Sequence, residues 1–162
     1  MMNEKELKIT YQEFDTPGQL APADSSLLAM ALETTRNAYA PYSGYCVGAA
    51  ILLDNGEIVC GSNQENAAYP SGLCAERVAM FAASSQYPDI AMNTIAITAH
   101  TEKFEIDCPV SPCGSCRQVM AEYEHRQNKK IRIILSGTKG KIYLINGIDS
   151  LLPFVFNSEN LK

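Results

Sequence analysis

Cys74 and Glu76 lie two residues apart in Cys74-Ala75-Glu76, and Cys113 and Cys116 lie three apart in Pro112-Cys113-Gly114-Ser115-Cys116. Each cluster opens a stretch with helical patterning. Side chains in a first helical turn tilt back toward the N-terminus, so these groups can converge on the space beyond two helix ends. Residues three apart on a helix share one face, which pairs Cys113 with Cys116. The partial positive charge of a helix N-terminus lowers a thiol's pKa and favours the thiolate that a metal needs. Three thiolates leave one tetrahedral position open, the pattern of a catalytic zinc site and not of a closed structural one. Zinc held in that way lowers the pKa of bound water. Glu76, beside the metal but not on it, is placed to move protons as general acid and base.

Plainer readings stand beside this one. C-x-x-C alone also describes a redox pair, and a single cysteine in a helix is commonly a small buried hydrophobe. Cys108 could supply a fourth sulfur and close a structural zinc knot, although such a site has no use for Glu76. Cys46 and Cys60 fall in strand-like runs and read as core residues, and His100 and His125 read as surface or loop residues.

The elements that must position these groups follow from hydrophobic patterning. Leu7, Ile9 and Tyr11 alternate like a short strand until Asp15-Thr16-Pro17-Gly18 breaks the run. Asp24 or Ser25 can cap a helix to about Tyr39, with Leu27, Leu28, Ala31, Leu32 and Thr35 facing inward. Tyr45 to Leu53 and Ile58 to Ser62 read as a hairpin across Asp54-Asn55-Gly56-Glu57. A second helix is expected from about Gly72 to Ser85, with Ala75, Val78, Ala79 and Ala82 at core spacing. Thr94 to Ala99 carries no charge and no clean alternation, as at a sheet centre. A third helix runs from about Cys113 to Arg126, then strands at Ile131 to Ser136 and Lys141 to Ile145, then a short helix around Leu151-Leu152. Five strands interleaved with helices give an α/β layer structure. Residues 1–22 read as an N-terminal leader and residues 23–162 as a single domain.

Composition narrows the partners. The 162 residues are 46% hydrophobic and 19% charged, with 13 Lys+Arg against 18 Asp+Glu and a formal net charge of −5. That balance argues against a partner held by phosphate neutralisation. No run is long and apolar enough to span a bilayer, and Met1 to Glu6 carries charge where a signal peptide needs an apolar stretch. The expectation is a cytoplasmic protein without nucleic-acid or membrane partners. Its six cysteines then sit in a reducing compartment, where metal binding or catalysis outweighs disulfides.

Three segments together resemble the homotetrameric, three-cysteine cytidine deaminases. They are Tyr39-Ala40-Pro41-Tyr42-Ser43-Gly44-Tyr45-Cys46-Val47-Gly48-Ala49-Ala50, Asn63 through Arg77, and Pro112-Cys113-Gly114-Ser115-Cys116-Arg117-Gln118-Val119-Met120. The likeness covers about Ser25 to Leu161 and matches the zinc-deaminase signature H-x-E…P-C-x-x-C, with Cys74 in place of the histidine. The resemblance implies a three-layer α/β/α sandwich on a five-stranded mixed sheet and one Zn²⁺ per chain on Cys74, Cys113 and Cys116. It implies Glu76 as the proton shuttle, and Asn63, Glu65, Tyr45, Ala75 and Phe156 as substrate contacts. Arg77 would donate to the cysteine sulfurs, and Phe156 would reach a neighbouring subunit's site in a homotetramer. The implied reaction is hydrolytic deamination of cytidine and 2′-deoxycytidine in pyrimidine salvage. Two departures are visible: the family usually has Phe where this chain has Tyr45, and its leader and longer His100 to Ser111 segment are poorly matched.

Overall fold

The computed structural model describes residues 2–161. Six strands form one mixed sheet: β1 (Gln12–Phe14), β2 (Cys46–Leu53), β3 (Ile58–Ser62), β4 (Met92–His100), β5 (Arg132–Leu135) and β6 (Ile142–Asn146). Their order across the sheet is β1-β6-β5-β4-β2-β3. Only β4 and β5 pair in parallel, with Ile95 opposite Ile133, because α3 (Gly114–Gln127) crosses over between them. The β2–β3 hairpin turns at Gly56, whose φ of +89° suits a residue without Cβ.

Helices cover both faces. In β2 the side chains of Ala49, Ile51 and Leu53 meet α2 (Ala75–Gln86) and α3, whereas Ala50 turns to α1 (Pro22–Thr34). That alternation follows from the two-residue period of a strand. The uncharged, fully buried run Ile95, Ala96, Ile97 places β4 near the sheet centre with a helix layer on each side. The three-layer α/β/α arrangement is therefore present.

Several expectations need correction. The sheet has six strands instead of five, since Gln12–Phe14 adds an edge strand against β6. The apolar alternation at Leu7, Ile9 and Tyr11 is exposed and lies outside that strand. Helix α1 begins with Pro22 at its first turn, so Asp24 sits inside the helix and not at its cap. Its inward stripe is Asp24, Leu27, Leu28, Ala31 and Thr34; Leu32 is 46% exposed. On α2 the fully buried positions are Ala75, Glu76, Ala79, Met80 and Ala83, with Val78 and Ala82 half-buried. Leu151 and Leu152 follow a single 3₁₀ turn, Ile148–Ser150, where a helix was expected. Cys46 and Cys60 are half-buried, and His100 and His125 are exposed. Among the described residues no helix is long and apolar enough to cross a membrane.

Candidate active site

Cys74 is the N-cap of α2 and Cys113 the N-cap of α3, both in extended backbone, and neither thiol caps its own helix. Both sulfurs are thus free to face the gap between the helix ends. Cys116, one turn into α3, is buried beneath them. The Sγ atoms of Cys74 and Cys113 are 3.7 Å apart, those of Cys113 and Cys116 3.4 Å, and all three lie within 4.8 Å of one another. Tetrahedral zinc thiolates place sulfurs about 3.8 Å apart, so this donor set fits that ion in type, number and spacing. Cys108 is exposed and stands outside the trio.

The electrostatics of the trio follow from contact and burial. The neighbouring Cys116 thiol and then the Arg77 guanidinium pull Cys74 down to about 5. Cys116 is pushed upward by the same bond to Cys74 and by burial. Arg77 directs Nη2 at Cys74 Sγ from 3.8 Å, and its Nε is buried with no partner among the described residues. Glu76, two residues after Cys74, is only 4% exposed, and burial raises its carboxyl above the usual carboxylate range.

A cavity of about 630 Å³ opens above Cys74, Cys113 and Glu76, with Tyr45, Asn63 and Glu65 on its wall. That volume suits a small molecule. The loop carrying Asn63 and Glu65 is pinned from both sides. Tyr39 N–H donates to Asn63 O at 3.0 Å, Glu65 N–H donates to Tyr39 O at 2.8 Å, and Gln64 and Leu73 exchange backbone bonds of 2.9 Å. The last pair sets the wall at a fixed distance from Cys74.

Glu65 accepts from Tyr42 N–H at 2.8 Å, from Ser43 N–H at 3.3 Å and from the Ser43 hydroxyl at 2.5 Å. Those donors, with the Ser43 hydroxyl foremost, hold its carboxyl below the usual range. Asn63 accepts from Val47 N–H at 2.7 Å and donates to Tyr45 O at 2.9 Å, tying the wall to the start of β2. Ala75 is fully buried, backbone included, and does not line the cavity. Phe156 is 58% exposed and does not line the cavity; its carbonyl accepts from Gln118 Nε2 at 2.7 Å.

Two positioning residues have no clear signal in the sequence. Ser43 supplies two of the three donors of the Glu65 clamp, its hydroxyl and its backbone N–H, and a single loop serine carries no pattern that marks it. Arg117 reaches Pro112 O at 2.8 Å, Leu151 O at 2.7 Å and Ser111 Oγ at 3.0 Å, fixing the loop that delivers Cys113. Its only sequence cue is its place directly after Cys116.

The family model described as "Cytidine and deoxycytidylate deaminase zinc-binding region" matches residues 22–130. A curated cytidine deaminase of Halalkalibacterium halodurans is 40% identical over 137 residues, 84% of this chain and 96% of that protein. One from Sporosarcina psychrophila is 41% identical over 136 residues, 84% of this chain and 93% of its own length. Among solved structures, the cytidine deaminase from Burkholderia pseudomallei is 34% identical with a TM-score of 0.69, covering 81% of this chain and 97% of that one.

Proposed function

The chain belongs to the cytidine and deoxycytidylate deaminase family, and from that premise we propose that it hydrolyses cytidine and 2′-deoxycytidine to uridine and 2′-deoxyuridine with release of ammonia. The observation that carries this reading is a buried carboxyl, Glu76, beside three convergent cysteine sulfurs at the floor of a nucleoside-sized cavity. Cys74, Cys113 and Cys116 hold Zn²⁺, one per chain, which when bound acidifies water and supplies Lewis acidity.

Glu76 takes the proton that water gives up as its oxygen bonds to C4 of the pyrimidine. It delivers that proton to N3, then takes the remaining proton from the new C4 hydroxyl and passes it to the amine, so the C4–N bond breaks as the C4 carbonyl forms and ammonia leaves. Its burial favours the neutral acid when no charge faces it, which suits a group that must both accept and return protons. Glu65, preset as an acceptor by Tyr42 and Ser43, receives a ribose hydroxyl. Asn63 has one amide hydrogen left for the sugar after bonding Tyr45 O. Tyr45, on the cavity wall, offers its ring face. A carboxylate at the sugar end repels a phosphate and favours a free nucleoside.

The subunit arrangement belongs to the same reading: a cytoplasmic homotetramer in pyrimidine salvage, with Phe156 closing a neighbour's cavity. Its exposure and its absence from its own cavity support that role.

Glu76→Gln tests the reaction. The amide keeps the shape but cannot accept a proton, so turnover of cytidine should fall by about 10²–10⁴-fold or more while zinc content, measured by metal analysis, stays at the wild-type value. Near-normal turnover would place the proton shuttle elsewhere.

A further inference from the structure

The segment between β4 and α3 is built to hold its shape. Ile106, 4% exposed, is its anchor. Ile106 N–H donates to Thr138 Oγ1 at 2.9 Å, Lys139 N–H returns a bond to Ile106 O at 3.0 Å, and Val110 N–H donates to Ser136 O at 3.2 Å. Gly137 and Gly140 allow this close approach: a Cβ on Gly137 would meet Ile106 O at 2.4 Å, and one on Gly140 would meet Asp107 O at 2.0 Å. A segment docked so tightly delivers the residues at its outer end to fixed places.

Those residues land behind the cavity wall, against Ser43 and Tyr45, which line it. Lys103 donates from Nζ to Ser43 O at 2.5 Å, and its own N–H rests on Thr101 Oγ1 at 3.4 Å. Its stem crosses Gly44, where a Cβ would lie 3.1 Å from Lys103 Cε and where φ is +66°. Gly44 and Lys103 are thus complementary, the one leaving room for the other. Phe104 sets its ring beside Tyr45, centroids 6.4 Å apart and planes at 32°. Ser43 is the residue whose hydroxyl and N–H both hold Glu65. A continuous path therefore runs from the Lys103 ammonium through Ser43 to the Glu65 carboxylate, and the positive charge also favours the ionised carboxyl.

We infer that Lys103 is a positioning residue for the sugar: by holding the Ser43 carbonyl it fixes the turn that aims Glu65, and so sets affinity for nucleosides bearing ribose hydroxyls. This rests on the reading of Glu65 as the sugar acceptor. Lys103 touches neither the sulfurs nor Glu76, so its influence belongs to binding and not to the chemical step.

The test compares cytidine with 2′,3′-dideoxycytidine, which lacks the 2′ and 3′ hydroxyls, in steady-state kinetics of the zinc-loaded protein. Lys103→Met keeps the stem over Gly44 and removes the donor. It should raise KM for cytidine about fivefold, the scale of one exposed charged contact, with kcat within about twofold. KM for dideoxycytidine should stay unchanged, and Lys103→Arg should restore the cytidine KM. An unchanged cytidine KM, an equal rise for both nucleosides, or a loss confined to kcat overturns the inference. Glu65→Gln, run alongside, separates the two levels. If it weakens cytidine selectively while Lys103→Met does nothing, only the role of Lys103 falls. If Glu65→Gln moves both nucleosides alike, the sugar reading falls and the inference with it.

Discussion

Three thiolates around a divalent zinc leave one negative charge in surplus, which weakens the metal as a Lewis acid unless a neighbour offsets it. Arg77 is placed to do so, with Nη2 directed at Cys74 Sγ. On an exposed helix face the same residue would read as a surface ion pair of little consequence. Arg77→Ala should therefore lower zinc affinity or turnover by about tenfold or more, followed as metal retained against a chelator and as kcat. If both stay at the wild-type value, the guanidinium has no influence on the site. The convergence of the three sulfurs was legible in side-chain type and spacing, whereas the place of Arg77 beside Cys74 was expected from the family resemblance. The Glu65 clamp was not legible, because two of its three donors are backbone N–H groups. Asn63 is a mixed case: its place at the wall was expected, but its bonds to Val47 and Tyr45, which order β2, come from a loop closure that no local pattern records.

At the scale of elements, placement of the site depends on how closely α2 lies on the sheet. Gly61 in β3 permits it: a Cβ there would stand 2.4 Å from Ala79 N and 2.7 Å from Ala75 O, both backbone atoms that cannot rotate away. Gly48 does the same for α1 on the other face, where a Cβ would meet Ala31 O at 2.0 Å. Gly61→Ala should push α2 outward, at a cost of about 3 kcal/mol, which lowers the melting temperature by about 6–12 °C. Because α2 carries Cys74 and Glu76 at its start, zinc retention should fall as well. Gly18→Ala, whose Cβ meets nothing closer than 3.9 Å, serves as the control and should change neither. A Gly61→Ala protein with wild-type melting and zinc content would contradict this packing. Strands with strong apolar patterning, such as Ile58–Ser62, were legible to the residue. Strand β1 was not: its three residues, Gln12–Phe14, are ordered by pairing with distant β6, and the apolar run before them has only partial cover, as Tyr11 against Tyr143 at 4.7 Å shows.

For the molecule as a whole, charge and cavity shape limit what can enter. The formal net charge is −5, and Glu65 sits ionised on the cavity wall. Lys103, the cation of the adjoining segment, is engaged with Ser43. Among the described residues no lysine or arginine lines the cavity that leads to Glu76, so a polyanionic strand gains little there. On the proposed reading of Glu65 a 5′-phosphate would be repelled. A small neutral nucleoside meets no such penalty. The most direct measurement of the central claim is the loss of cytosine absorbance when purified, zinc-loaded protein is incubated separately with cytidine, 2′-deoxycytidine, CMP and a cytosine-containing oligonucleotide. Cytidine and 2′-deoxycytidine should be converted to their uracil counterparts with stoichiometric ammonia, while CMP and the oligonucleotide remain unchanged. No conversion of either nucleoside, or faster conversion of the oligonucleotide, would contradict the account.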